Sequence, residues 1–448
     1  MQKLVVIALL LPLVPLLAAQ DFEKERLNNW HHWRGPNADG TVPRGDPPLI
    51  WSESKNIRWK KEIPGEGLAT PVVWKDRIFV LTAVKTDEQV KRKEAAPRPE
   101  PRRGGRRRRR AAQPIHVYEF VVLCLNRKTG KVLWKRVANR EVPHEGHHST
   151  ASFASSSPTT DGRYLYASFG SRGVYCYDLK GKLRWKRDLG DMRTRNRFGE
   201  GASPVIHGNS LIHIWDHEGD SFLVCLDART GKDRWRVERD EVTTWATPMV
   251  VEHEVVTQVV ANGKKRIRSY DLATGKVLWE CGGQANNPIA CPVVHEGVVY
   301  CMTGHRGFAI HAIPLDSRGD ITDTEKILWM RDDAAPYVAS PVLADGLLYL
   351  TKSQNAILSC LDAKTGEAYF AQKRMPGVRR LYASLVSAAG KIYLVGRNGT
   401  TLVLKRGKTL KVLATNKLDE GIDASPVIVG KQLFLRGKKH LYCIINEK

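Results

Sequence analysis

The chain has 448 residues, 42% of them hydrophobic, with eight cysteines and a formal net charge of +24 at pH 7. That length fits two to three ordinary domains or one large repetitive one, and the apolar content allows a sizeable core. After the first twenty residues no stretch is apolar enough to cross a bilayer, and no Cys or His spacing matches a zinc site, which sets both classes aside.

In chain order, residues 1–19 carry one early cation, Lys3, and an apolar run from Leu4 broken by Pro12 and Pro15. The run ends on the small residues Ala18 and Ala19. This is the layout of a secretory signal, so a soluble periplasmic or secreted protein is expected, and no Cys follows to take a lipid. Residues 20–56 form a leader that contains Trp30-His-His-Trp-Arg-Gly-Pro-Asn-Ala-Asp-Gly40, where His31 and His32 are expected to help packing.

Residues 57–448 read as short strands separated by turns, interrupted by a basic insertion at 85–113. Between Lys91 and Arg110 eleven Lys or Arg stand against Glu94 and Glu100, so this segment holds more than a third of the net charge. Its Pro, Gly, Arg and Ala cannot bury enough apolar surface to fold, so it is expected to be a disordered loop in the first repeat. It reads first as a tolerated insertion whose charge is incidental, and otherwise as an arm that suits acidic envelope polymers. An exported location and the lack of interleaved aromatics argue against nucleic acid.

Two phrases recur along the rest of the chain. One is a turn: Asn126-Arg-Lys-Thr-Gly-Lys-Val-Leu-Trp134, with copies ending at Trp185, Trp235 and Trp279 and a weaker one at Phe370. The Asp or Asn side chain bonds the backbone two residues on, Gly supplies the positive φ, and the aromatic stands on the next strand between neighbouring sheets. Trp59 and Trp329 are expected to dock in the same way as Trp134, Trp185, Trp235 and Trp279.

The second phrase is a Ser/Thr-Pro strand start: Thr70, Ser157, Ser203, Thr247, Ser340 and Ser425 each precede Pro, with plainer versions at Cys291 and Ser384. Proline marks the start or edge of a strand. From 157 to 425 these starts recur about every 45 residues, the length of a four-stranded propeller blade. The expected fold is therefore an all-β, eight-bladed β-propeller of four-stranded antiparallel blades, monomeric. The strand 57–63, with Trp59, would pair with the C-terminal strand 440–445 to close the ring. Cys124, Cys176, Cys225 and Cys360 each precede a turn and are expected to be small buried hydrophobes, whereas Cys291 and Cys301 flank a hairpin and could meet as a disulfide.

These turns are similar to the tryptophan-docking repeats of eight-bladed quinoprotein alcohol dehydrogenases, and they match the propeller of the outer-membrane barrel-assembly lipoprotein. The leader Trp30–Gly40 resembles that of exported pyrroloquinoline-quinone-like repeat proteins. The resemblance implies the fold and leaves the function open, because this fold hosts both enzymes and scaffolds. Enzymes of the group would use pyrroloquinoline quinone with calcium, often with a disulfide between adjacent cysteines and a lid of long inter-blade loops. The chain has no Cys-Cys pair and no such loops, so no cofactor, metal or catalytic residue is assigned.

Loops entering the inner strands can converge on a propeller axis. They carry Glu66, His147, His148, Arg197, Glu200, Trp245, Asn286, Asn287, Tyr337, Arg379, Arg380 and Asp423, a polar and aromatic mouth suited to a peptide, sugar or small anion. His144-Glu-Gly-His-His148 is the richest cluster, but its spacing matches no known metal motif. The sequence thus points to an exported, non-catalytic scaffold that binds a protein, peptide or acidic polymer on one face. The alternatives are a quinone-dependent dehydrogenase and an outer-membrane assembly factor.

Overall fold

The computed structural model describes residues 21–90 and 114–446; the expected signal segment and residues 91–113 of the insertion lie outside the described residues. Within them the chain forms eight sheets, each built on four antiparallel strands, arranged as an all-β propeller. The β-branched runs after each Ser/Thr-Pro make the innermost strands. These are Val72–Trp74, Thr159–Thr160, Val205–His207, Met249–His253, Val293–His295, Val342–Ala344, Val386–Ala388 and Val427–Val429, which number blades 1 to 8.

The strand starts form a ring around the axis. The backbone N–H of Thr70 donates to Ser157 Oγ at 2.9 Å, Ser157 to Ser203 at 2.9 Å, and Ser203 to Thr247 at 3.0 Å. Thr247 donates to Cys291 Sγ at 3.2 Å, Cys291 to Ser340 at 3.0 Å, and Ser340 to Ser384 at 3.0 Å. Ser384 donates to Ser425 at 3.0 Å, and Ser425 returns to Thr70 at 3.1 Å. Each buried N–H is thereby satisfied by the next blade's side chain, which explains the recurring small polar residue. Cys291 takes its place in this ring and Cys301 pairs across the sheet with His311; all eight cysteines are free and buried, so these two do not form the disulfide that their flanking positions left open.

Closure joins the two ends of the chain. Ile57–Glu62 forms the outermost strand of blade 8, antiparallel to His440–Ile444, with Trp59 opposite Cys443. Cys124, Cys176 and Cys225 likewise face Trp134, Trp185 and Trp235, a small side chain beside each indole. Each of these indoles then lies on the turn of the next blade. Trp134 Nε1 donates to Leu179 O at 3.1 Å and Trp185 Nε1 to Ala228 O at 2.9 Å, and Trp59, Trp235 and Trp329 do the same with Arg127, Leu272 and Ala363.

Trp279 departs from the expected docking. Blade 5 has no such turn after its third strand; instead Gly319–Asp320 pairs in parallel with Trp279 and Glu280 and covers them. The indole is fully buried and donates to Gln258 Oε1 within its own blade at 3.2 Å. In blade 1 the hairpin Arg77–Gln89 and His116–Asn126 stays paired out to Gln89 and His116. Residues 85–89, expected as the start of the disordered insertion, are therefore strand, held by Tyr118, whose ring packs edge-on against Phe153.

The leader threads the axis. Trp30 pairs with Val73 of blade 1, and His31 O accepts from Thr160 of blade 2 at 2.9 Å. Thr41–Val42 adds in parallel to the inner strand of blade 7, and Asp46 N–H donates to Gly430 O of blade 8. Arg34 reaches Pro341 O of blade 6 at 2.5 Å and Leu385 O of blade 7 at 3.1 Å. A segment that pairs with blades 1, 2, 6, 7 and 8 is a plug. It closes the channel on the side away from the inner-strand loops.

Candidate functional site

Above the plug, the loops that enter the inner strands enclose an axial cavity of about 870 Å³. Its floor is Trp33 of the leader with Thr70, Ser157, Ser203 and Ser425 of the ring. The volume falls within the usual range of small-molecule and peptide-tip sites.

The wall is unequal in charge. Two carboxylates line it, and both are held internally. Glu200 accepts from Ser171 N at 2.7 Å and Ser171 Oγ at 2.5 Å. Gly170 makes this fit possible: at φ +56° any Cβ there would stand 1.4 Å from Glu200 Oε2. Burial pushes the Glu200 carboxyl up, against the pull of the two Ser171 bonds. Asp423 takes Arg397 Nε at 2.5 Å and Nη2 at 2.9 Å, and that guanidinium lies 4.2 Å from the Tyr382 ring centroid.

Three other guanidinium groups face the same space. Arg195 Nη1 donates to Asn287 Oδ1 at 3.0 Å, and Arg306 and Arg380 line the rim. Among the described residues none of the three pairs with a carboxylate. Aromatic surfaces stand between them. Trp245 is fixed by Nε1 to Gly199 O at 2.7 Å, and His305 stacks on Tyr337 at 4.5 Å. His148 meets Phe198 edge-on at 4.9 Å. Burial, then nearby Arg306 and Arg195, lower the pKa of His305; burial, then Arg397 and His147, lower that of His148. Both shifts favour the neutral imidazole, so the cationic character comes from arginine.

Of the residues singled out from sequence, His148, Glu200, Trp245, Asn287, Tyr337, Arg380 and Asp423 line this cavity. Five others lie off it. Glu66 bridges Ala83 through its backbone, and Asn286 bridges His305 in the same way. His147 packs edge-on against Phe153 at 4.5 Å. Arg197 follows the left-handed Asn196 and is itself at φ +57°, and Arg379 is exposed beyond the rim. Sequence reasoning missed Trp33, Arg195, Phe198, His305, Arg306 and Tyr382. Tyr382 sits two positions before the ring residue Ser384, the offset at which Trp245 precedes Thr247, and that register was the available signal.

The His144–His148 cluster is engaged in structure. His144 Nε2 meets Met192 O, and Glu145 accepts from Thr194 N at 3.1 Å and from its hydroxyl. Among the described residues no group of three His, Cys, Asp or Glu stands ready to hold a metal. A calcium-bound quinone needs free carboxylate oxygens, and with Glu200 and Asp423 committed to Ser171 and Arg397 the donor set does not fit it.

Known proteins share this architecture. The family model described as outer membrane protein assembly factor BamB matches residues 118–372, more than half of the chain. The chain belongs to this family. It is 23% identical over 269 residues to tetrathionate hydrolase of Acidithiobacillus ferrooxidans, covering 54% of this chain and 48% of that protein. The chain thus spans about half the length of this curated relative. Among solved structures it is similar to quinohemoprotein alcohol dehydrogenase from Comamonas testosteroni, with TM-score 0.63, 11% identity and coverage of 97% of this chain and 84% of that one. BamB from Moraxella catarrhalis aligns with TM-score 0.50 and 12% identity, over 73% of this chain and 94% of that one. At such identities these likenesses show the fold alone. No helix among the described residues is long and apolar enough to cross a membrane.

Proposed function

We propose that this protein is an exported binding propeller whose funnel captures an acidic segment of a partner polypeptide. One observation carries the reading: among the described residues Arg195, Arg306 and Arg380 face the cavity without carboxylate partners, while Glu200 is hydrogen-bonded to Ser171 and Asp423 is ion-paired with Arg397. Unpaired guanidinium groups in a concave, partly dry site attract carboxylates and bind them bidentately. Trp245, Tyr337 and Tyr382 add flat anchors of the kind that dominate binding energy at interfaces. The family's description as an assembly factor and the signal-like residues 1–19 support a protein partner outside the cytoplasm.

The test is anisotropy of a labelled Glu- and Asp-rich peptide at several salt concentrations. Binding should weaken as salt rises and fall by about tenfold in Arg306→Ala and Arg380→Ala. Arg379→Ala, one residue outside the cavity, should bind as wild type. Equal losses in all three variants, or no saturable binding, would overturn the reading. A second reading is favoured by the tetrathionate hydrolase relative: the funnel takes a small dianion and hydrolyses it with water. Adding tetrathionate and following its consumption decides between the two.

A further inference from the structure

The face opposite the funnel carries a second concavity that the funnel does not use. It is a groove of about 520 Å³ along the seam where blade 8 meets blade 1, beside the start of the leader. Arg58, Lys75, Arg127, Lys128 and Lys431 line it, against the carboxylates Glu25 and Asp76. Asp76 lies 3.8 Å from Arg77, outside the groove. Among the described residues none of the five cations is in an ion pair.

One of the five is built into place. Arg127 Nε donates to Gln432 Oε1 at 2.6 Å and Nη1 to Lys75 O at 3.0 Å. Gln432 is itself oriented, because its amide nitrogen donates to Cys443 Sγ at 3.3 Å. The Arg127 backbone carbonyl accepts from Trp59 Nε1 at 3.1 Å. The guanidinium is thus fixed across the seam by blade 1 and blade 8, with Nη2 left without a partner among the described residues. Burial disfavours its charge, and among the described residues no carboxylate forms an ion pair with it. A guanidinium fixed in a groove also lined by exposed lysines is the arrangement that receives a compact dianion: the planar fork orients the oxygens and the lysines supply charge.

We propose that this seam groove is a binding site for a phosphomonoester-type dianion, oriented by Arg127 and neutralised by Lys75, Lys128 and Lys431. The site is independent of the funnel and of its ligand. Because it bridges the first and last blades, occupation also stitches the closure seam. A ligand that binds only the folded chain raises its stability by mass action.

The experiment is thermal unfolding and calorimetric titration of the full chain with inorganic phosphate, against sodium chloride at equal ionic strength. Phosphate should raise Tm beyond chloride and bind saturably. The double variant Lys128→Gln/Lys431→Gln changes neither internal bond of Arg127. It should keep its Tm in chloride and lose about tenfold in phosphate affinity. Arg306→Ala/Arg380→Ala should bind phosphate as wild type, which separates this site from the funnel. Absence of a phosphate-specific shift, or a shift that survives in the lysine variant, overturns the assignment. Glucose 1-phosphate and phosphatidate-containing vesicles, run in parallel, distinguish a soluble ester from a lipid headgroup as the source of the dianion. If neither competes with phosphate, the assignment also fails.

Discussion

Ser425 and Thr70 stand 355 positions apart, yet the Ser425 backbone N–H donates to Thr70 Oγ1 at 3.1 Å. This bond completes a ring of eight and gives each strand start a partner in the next blade. A buried N–H that loses its acceptor costs about 1–3 kcal/mol. Ser203→Ala and Ser340→Ala, which strip the acceptor from Ser157 and Cys291, should each destabilise by that amount in urea unfolding. Cys291→Ser should do the opposite or nothing, since a hydroxyl is a better acceptor than a thiol for the Thr247 N–H. A loss of several kcal/mol in Cys291→Ser would show that thiol volume, not acceptor strength, governs this position.

The turn glycines separate two costs. Gly181 has φ +86°, and a Cβ there would stand 2.8 Å from the Trp134 ring; Gly319 has φ +72° with open space around it. Alanine at Gly319 meets only the left-handed backbone penalty, about 1–2 kcal/mol. At Gly181 it must also displace the docked indole. Gly181→Ala should therefore exceed Gly319→Ala by about 1 kcal/mol or more in the same unfolding assay. Equal costs would mean that the indole is free to yield.

Arg34 should matter out of proportion to its single charge. It is buried in the plug, and Nη1 and Nη2 between them reach the carbonyls of Leu385, Asp39 and Pro341. Burial lowers its pKa to about 10, so the charge is kept at neutral pH. Arg34→Met keeps the stem and leaves three carbonyls without a donor. We expect a loss of about 2 kcal/mol or more, with faster amide exchange at Thr41 and Val42. Unchanged exchange there would mean that the strand added to blade 7 holds the plug unaided.

Features that repeat were legible in the sequence. The Ser/Thr-Pro starts and the Asp-x-x-Thr-Gly turns recur because each blade solves the same problem, so their spacing gave blade number, closure and the docking of Trp59, Trp134, Trp185, Trp235 and Trp329. Trp279 broke from the pattern because its partner turn is missing one blade later, a fact carried by residues some forty positions downstream. The place of the plug left no trace in the repeat pattern: the strand and bridge pairings that seat it against blades 1, 7 and 8 use backbone groups, which any sequence provides. In the funnel, loop membership was readable but direction was not. Arg380 faces the cavity and its neighbour Arg379 does not; Arg195 faces it and Arg197 does not, because the left-handed Asn196 turns the chain between them.

Acid should loosen the propeller through buried imidazoles. His32 in the plug and His213 between blades 2 and 3 are both held at a pKa of about 4, by burial first and, for His32, by Arg34. Burial also holds His31 well below its ordinary value. The unfolded chain protonates these rings near pH 6.5, so between pH 6.5 and 4 it binds more protons than the folded chain. Stability is then full above pH 6.5, falls as pH drops through this window, and stops falling from this cause below about 4. Each of the two rings near pKa 4 contributes about 3 kcal/mol of loss across the window. His32 Nδ1 accepts from the Arg34 N–H at 3.2 Å, a role that an Asn oxygen can reproduce. In denaturant titrations at successive pH values, His32→Asn should therefore remain folded at pH 7 and lose about one proton from the slope of stability against pH. An unaltered slope in His32→Asn would place the acid sensitivity in groups other than His32.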